Sequence, residues 1–169
     1  MAEIKRLDEA RWKEIRDLRL EALVRDPTAF CSAYEEEATM GEEVWRRRSK
    51  NTLFAVIDNK AVGMIALGFN DRQRTKHIAA LYGVYVRKES RGQGIGRKLV
   101  EAAVKDISGN PEISKIELTV NAAEATTVRT YEKCGFERVV SHRNDGAGGY
   151  NCKEVLMEKR IKCPETQRR

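Results

Sequence analysis

The sequence predicts an α/β fold, with one domain over residues 1–160 and a short basic tail over residues 161–169. Three observations carry this. Helical and strand-like periods alternate in mixed order with short connections. Two apolar runs, Thr52 to Ile57 and Ala61 to Phe69, flank the turn Asp58-Asn59-Lys60 and read as a hairpin. Near the centre, the strand-like run Ile78 to Val86 passes through a glycine-bearing loop into a helical stripe, and a second strand–helix pair follows.

In chain order, Ile4 to Leu7 reads as a first strand and Asp8 to Arg25 as a helix. Trp12, Ile15, Leu18, Ala22 and Leu23 recur at helical spacing on one stripe. Asp26-Pro27 stops that helix, because a residue before proline is pushed out of the helical region. Phe30 to Met40 fits neither period, and Glu42 to Arg48 reads as a short helix. Asn70 to Lys76 is a polar loop. From Gly94 the period is helical: Ile95, Leu99, Ala103 and Ile107 lie on one line, with Val100 and Val104 beside it. Burying each larger side chain is worth roughly 1.5–3 kcal/mol, which would lay this helix firmly on a sheet. Gly109-Asn110-Pro111 ends it. Ile116, Leu118 and Val120 alternate with Lys115, Glu117 and Thr119, a strand with one buried face. Ala122 to Cys134 reads as a helix that stops at Gly135. Phe136 to Val140 and Tyr150 to Lys159 read as closing strands around the loop Asn144 to Gly149.

Composition narrows the function. A chain of 169 residues can bury a core without metal or disulfide staples. No run approaches the ~20 apolar residues of a membrane span, and Met1 to Arg6 leads into no apolar signal core. A cytoplasmic protein with no membrane partner is expected. Cys31, Cys134, Cys152 and Cys163 form no C-x-x-C pair, and His77 and His142 lie far apart in sequence. Reduced thiols and no metal site are expected. The net charge is +6, but Lys159, Arg160, Lys162, Arg168 and Arg169 against Glu165 put +4 of it at the end of the chain. The body is then close to balance. That suits a small phosphorylated ligand better than nucleic acid.

The loop Arg91-Gly92-Gln93-Gly94-Ile95-Gly96 joins the strand to the helix. Its glycines let the backbone approach a ligand, and the helix start offers unpaired N–H donors with partial positive charge. Such a place suits a pyrophosphate, and Arg91, Arg97 and Lys98 would add charge at its rim. The Walker pattern G-x-x-x-x-G-K-S/T is absent. The dinucleotide pattern G-x-G-x-x-G fails too, because Arg97 or Leu99 stands where its third glycine belongs.

The same run resembles the acyl-CoA motif of the GNAT superfamily of N-acyltransferases, Gln/Arg-x-x-Gly-x-Gly/Ala, with Arg91, Gly94 and Gly96 at its fixed positions. Leu81 to Val86 is similar to that family's fourth strand, Leu118 to Asn121 to its fifth, and Glu154 to Met157 to its last. Thr130-Tyr131-Glu132-Lys133-Cys134-Gly135-Phe136 resembles its L-Y-x-x-x-G-F segment, and Asp26 to Phe30 a segment after the first helix. The resemblance implies a mixed, mostly antiparallel sheet of about six or seven strands with helices on both faces. It also implies a splay between strands four and five. The pantetheine arm of acetyl-CoA would lie in the splay against the backbone of Val84, Tyr85 and Val86, with Asn121 on the other wall. The pyrophosphate would sit on the amides of Gly92, Gln93, Gly94, Ile95, Gly96 and Arg97.

The implied reaction is direct transfer of an acetyl group from acetyl-CoA to a primary amine. The alternative is a CoA-binding regulatory module without turnover. A nucleic-acid-binding domain using the basic tail ranks third, and a homodimer is admitted. By analogy, Tyr131 hydrogen-bonds the departing thiolate. Deprotonating an amine of pKa ~10.4 at neutral pH costs roughly 4 kcal/mol, so a base or a dry, positioned site is needed. Here the chain departs from the family. Glu124 stands where many members have asparagine, Thr130 where leucine is common, and no glutamate lies near Leu81 or Tyr82. Glu35, Glu36, Glu37, Asp71 and His77 are the remaining candidates for a base, each reading as a solvated surface group; a water chain is the other route. Cys134 reads as a core residue rather than a nucleophile. The acceptor wall is expected from the first helices and the Asn144–Gly149 loop.

Overall fold

The computed structural model describes residues 1–30, 32–139 and 154–161. Cys31, His142, Cys152, Cys163, the Asn144–Gly149 loop, the inner ends of the two closing strands and residues 162–169 lie outside the described residues.

The chain opens with strand β1 (Glu3–Lys5). Asp8 then caps a short 3-10 turn by accepting from the Ala10 N–H at 2.7 Å. Helix α1 (Trp12–Arg25) follows and buries Ile15, Leu18, Ala22 and Leu23; Trp12 stays half-exposed. The unassigned segment after Phe30 holds one short helix, α2 (Tyr34–Ala38), ahead of α3 (Glu42–Lys50). Strands β2 (Thr52–Ile57) and β3 (Lys60–Phe69) form the expected hairpin. Its turn places Asp58 and Asn59 at φ 47° and 61°, left-handed values that match the strand twist.

Strand β4 (Ile78–Val86), helix α4 (Ile95–Ser108), strand β5 (Lys115–Asn121) and helix α5 (Ala125–Lys133) make the central unit. The last helix starts three residues later than its apolar pattern suggests. The Asn121 side chain accepts from the Ala123 N–H at 3.0 Å and its carbonyl from Glu124 at 2.9 Å, so a turn takes up those donors first. Strands β6 (Glu137–Arg138) and β7 (Glu154–Arg160) close the sheet. Lys159 and Arg160 therefore belong to the last strand, and Lys159 Nζ donates to the Cys134 carbonyl at 2.9 Å. The terminal charge is less concentrated in the tail than the sequence suggests.

The seven strands lie in the order β1-β2-β3-β4-β5-β7-β6. All neighbours are antiparallel except β4 and β5. Leu99, Val100, Ala103 and Ile107 of α4 and Val128 and Tyr131 of α5 pack on one face, over Leu53, Ile65, Leu81, Ile116 and Leu118. Ile15, Leu18 and Ala22 of α1 pack on the other, over Phe54, Val56, Met64 and Tyr85.

A bulge in β4 decides which side chains reach which face. Met64 pairs with Tyr85 and Ala66 with Tyr82, so Gly83 and Val84 together oppose Ile65. Gly83 takes φ +64°, which a side chain would disfavour. Before the bulge, Ala79 and Leu81 join the α4 side; after it, Tyr85 joins the α1 side and Val84 and Val86 the α4 side.

Candidate active site

Strands β4 and β5 pair only from Ile78–Ala80 to Lys115–Glu117. Beyond that, β4 continues to Val86 and β5 to Asn121 with no pairing between them. Their outer edges are held by β3 and β7, so the strands diverge as two fixed walls. The inner wall of each is a strand edge without a cross-strand partner, able to bond an extended ligand arm. This is the splay that the resemblance implies.

At the open end, the chain turns through Lys88–Ser90 into the glycine loop. Gly92 and Gly94 sit at φ 77° and 73°, and a Cβ at either would meet nothing within 4 Å. At Gly96 it would meet only Val86 Cγ2, at 3.9 Å. The helical ladder begins with Lys98 N–H to the Gly94 carbonyl at 3.1 Å. The amides of the preceding turn, Ile95 to Arg97, have no place in that ladder. Open room, successive N–H donors and a helix N-terminus are together the features that suit a phosphate group.

The arginines here are more engaged than the sequence suggests. Arg91 turns back: its Nε donates to the Val86 carbonyl at 2.8 Å, its guanidinium pairs with Asp26, and it lies 5.7 Å from the Tyr85 ring centre. It braces the loop against β4 and the end of α1. Arg97 pairs with Glu101 at 2.7 Å. An anion bound here would therefore depend mainly on backbone amides. Tyr85 presents only its backbone to the splay. Its buried hydroxyl donates to Glu21 Oε1 at 2.9 Å, and Glu21 also holds Arg87 at 3.0 Å. Burial, with help from Glu21, pushes the Tyr85 phenol up to about 12. Sequence reasoning missed this α1–β4 network; Asp26 was visible there only as a helix stop and as the start of the segment that resembles the family's.

Asn121 ends the β5 wall, its side chain engaged in the turn into α5. Tyr131 lies on α5, 6% exposed, with its ring edge-on to Phe136 at 6.0 Å. Its hydroxyl has no hydrogen-bond partner among the described residues. Burial pushes that phenol up to about 12, with the Cys134 thiol adding to the effect. Cys134 caps the same helix, half-buried, and burial raises its thiol as well. A thiol held protonated is a poor nucleophile, in keeping with a packing role.

The candidate bases separate. Glu35 and Glu36 are exposed on α2, and Asp71 and His77 are exposed before β4. His77 lies at the paired end of the β4–β5 walls, where its carbonyl accepts from Ser114 and Lys115. Glu37 is not the solvated group its sequence context suggests: it is 2% exposed. Arg19 bonds its two oxygens at 3.1 and 2.7 Å, and Arg48 adds a bond at 2.6 Å. Burial would raise this carboxyl, but the two guanidinium groups overcome it and hold it at about 2. Such a carboxylate is too weak a base to take a proton from an ammonium group. Among the described residues, no cluster of three His, Cys, Asp or Glu side chains could hold a metal ion. No described helix is long and apolar enough to cross a membrane.

Known proteins resemble this chain in sequence and in fold. The chain is 25% identical over 116 residues to the L-amino acid N-acetyltransferase AaaT of Escherichia coli K12, covering 66% of this chain and 70% of that one. It is 27% identical over 103 residues to a type 1 aminoglycoside N(6')-acetyltransferase of Klebsiella pneumoniae. That match covers 56% of this chain and only about half, 51%, of the relative's length. Among solved structures, a GNAT superfamily phosphinothricin acetyltransferase from Sinorhizobium meliloti in complex with AcCoA superposes with a TM-score of 0.73. The superposition covers 95% of this chain and 88% of that one at 16% identity, a likeness of fold. The model of the acetyltransferase (GNAT) family matches residues 12–136, the stretch from α1 through the splay and glycine loop to Phe136, and the chain belongs to that family.

Proposed function

We propose that this chain transfers an acetyl group from acetyl-CoA to a primary amine of a small acceptor. The observation that carries the reading is the β4–β5 splay opening onto the Gly92–Gly96 loop. The backbone of Val84, Tyr85 and Val86, faced by the β5 wall ending at Asn121, holds the extended arm of the co-substrate. The amides of Gly92, Gln93, Gly94, Ile95, Gly96 and Arg97 take its pyrophosphate. The AcCoA complex of the phosphinothricin acetyltransferase, which shares this fold, supports the assignment. The named activities of the amino-acid and aminoglycoside relatives support an amine acceptor.

In this reading Tyr131 steadies the sulfur as it leaves. With its phenol at about 12, full proton transfer to a free thiolate of pKa ~8.5 would be uphill by roughly 5 kcal/mol. A hydrogen bond that strengthens as charge grows on sulfur is the role that fits. The acceptor's proton leaves through water, since Glu37 is held too acidic to take it. The residues 1–160 act as one domain in the cytoplasm, without nucleic acid or membrane.

The test is release of free CoA thiol from acetyl-CoA in the presence of a panel of amines. Turnover with any member supports the proposal. Calorimetric binding of acetyl-CoA with no turnover on any amine would point to a regulatory binding module instead. Absence of binding would remove the site assignment altogether.

A further inference from the structure

We propose that Arg19 selects acceptors that carry a carboxylate beside the amine, an inference that rests on the acetyl-transfer reading above. It begins with which side of the splay is open. On the α4 side, Leu81, Val84, Val86, Leu118 and Val120 belong to the apolar core, which leaves no polar wall for an amine. On the α1 side, the walls present Tyr82, 56% exposed, and the exposed Thr119, and Gly83 lies beside them in the bulge.

Arg19 reaches over this side from α1. Its guanidinium is fixed on three sides. Nε and one Nη bond the two oxygens of Glu37, and the Phe30 ring lies 4.8 Å from the guanidinium carbon. The other nitrogen, Nη1, has no hydrogen-bond partner among the described residues. It lies 3.6 Å from where a Cβ on Gly83 would stand. Gly83 therefore puts no side chain against Nη1.

The charges point the same way. Glu37 is shared by Arg19 and Arg48, so the cluster carries one positive charge in excess. Arg48 is the more exposed of the two arginines and solvates its own charge; the Arg19 side chain is only 14% exposed. A half-satisfied, pre-oriented guanidinium beside a cleft is suited to an incoming carboxylate oxygen, and it loses little freedom on binding. Tyr82, lying on Gly68, offers an apolar wall for the acceptor's side chain next to it.

The experiment compares kcat/KM for α-amino acids with their amides and with the amines that lack the carboxyl group, using wild type and Arg19→Lys. Each acid and its amide share the side chain and differ in the carboxylate. Wild type is expected to favour the acid by about 10–100-fold, the range for a hydrogen bond to a charged group. Arg19→Lys keeps a cation for Glu37 and gives up the fork; the preference should fall at least about tenfold, mostly in KM, while turnover of the neutral amines stays within a few-fold. Equal kcat/KM for acid and amide in wild type overturns the proposal without needing any variant to fold. An unchanged preference in Arg19→Lys overturns it too. No turnover of any amine by wild type overturns the acetyl-transfer reading itself, a different result from turnover without preference.

Discussion

The two faces of the sheet are held together by different forces. On the α4 face, Leu99, Val100, Ala103 and Ile107 meet Ile65, Leu67, Leu81 and Ile116, and apolar contact dominates. On the α1 face, a smaller apolar cluster is ringed by charge: Arg19–Glu37–Arg48, Glu21 with Tyr85 and Arg87, and Asp26 with Arg91. Apolar packing is tuned by volume and is indifferent to pH. Partly buried ion pairs are tuned by geometry and respond to pH and salt. The face that carries the helix proposed to bind phosphate is therefore the insensitive one, and the face proposed for the acceptor is the responsive one.

Four measurements can break or sharpen that contrast. The largest effect is expected at Tyr131, which packs on the α4 face. Tyr131→Phe keeps the ring and its contact with Phe136 and removes only the hydroxyl. Turnover should fall by about 10²–10⁴-fold with little change in KM for acetyl-CoA. Near-normal turnover would reduce Tyr131 to a packing residue.

Next is Gly94→Asp. Asp tolerates the left-handed backbone better than most residues, and the position is open. The fold should survive, while a carboxylate in the phosphate site weakens acetyl-CoA binding by about 100-fold or more. Unchanged affinity by calorimetry would remove the loop from the site.

Two stability measurements then compare the faces directly. Leu99→Ala should cost about 2–5 kcal/mol, as for other buried leucines, and by the same amount at pH 7 and pH 4. Glu37 should behave otherwise. Its folded pKa of about 2 lies below its ordinary value of 4.5. The carboxylate therefore adds stability above pH 4.5, which is lost as pH falls toward 2. The depression corresponds to roughly 3 kcal/mol. Denaturant melts should show an acid limb in wild type that Glu37→Gln flattens. A limb of the same depth in Glu37→Gln would place the acid sensitivity elsewhere.

The same contrast explains what was legible in the sequence. The α4 face is written in local patterns: alternation in β5, a helical stripe from Ile95, and glycines at fixed spacing in the loop before it. The hairpin, β4 and the start of α4 could be read within a residue or so. The α1 face depends on partners far apart in the chain. Arg19 meets Glu37 across 18 residues and Tyr85 meets Glu21 across 64. Side-chain type says nothing about which distant partner it will find, so Glu37 looked like one of three equivalent surface glutamates. The late start of α5 was hidden for a related reason: Asn121 competes for the first helical donors, and an apolar period does not register that.

The bulge at Gly83 has a consequence for chain length. Side chains in a strand alternate strictly, so one extra residue acts as a half-turn of phase. Upstream of it, odd-numbered β4 residues face α4; downstream, even-numbered ones do. Deleting Gly83 alone would iron the bulge out, leaving Tyr82, Val84 and Tyr85 opposite Ala66, Ile65 and Met64 with every side chain on its present face. Removing Gly83 and Val84 together would invert the strand's end, pressing the Tyr85 phenol into the α4 core and turning Val86 toward the charges around Glu21. Loss of one residue at this point should therefore be tolerated and loss of two should not, while the loop from Asn70 to Lys76, outside the strands, is free of any such counting rule.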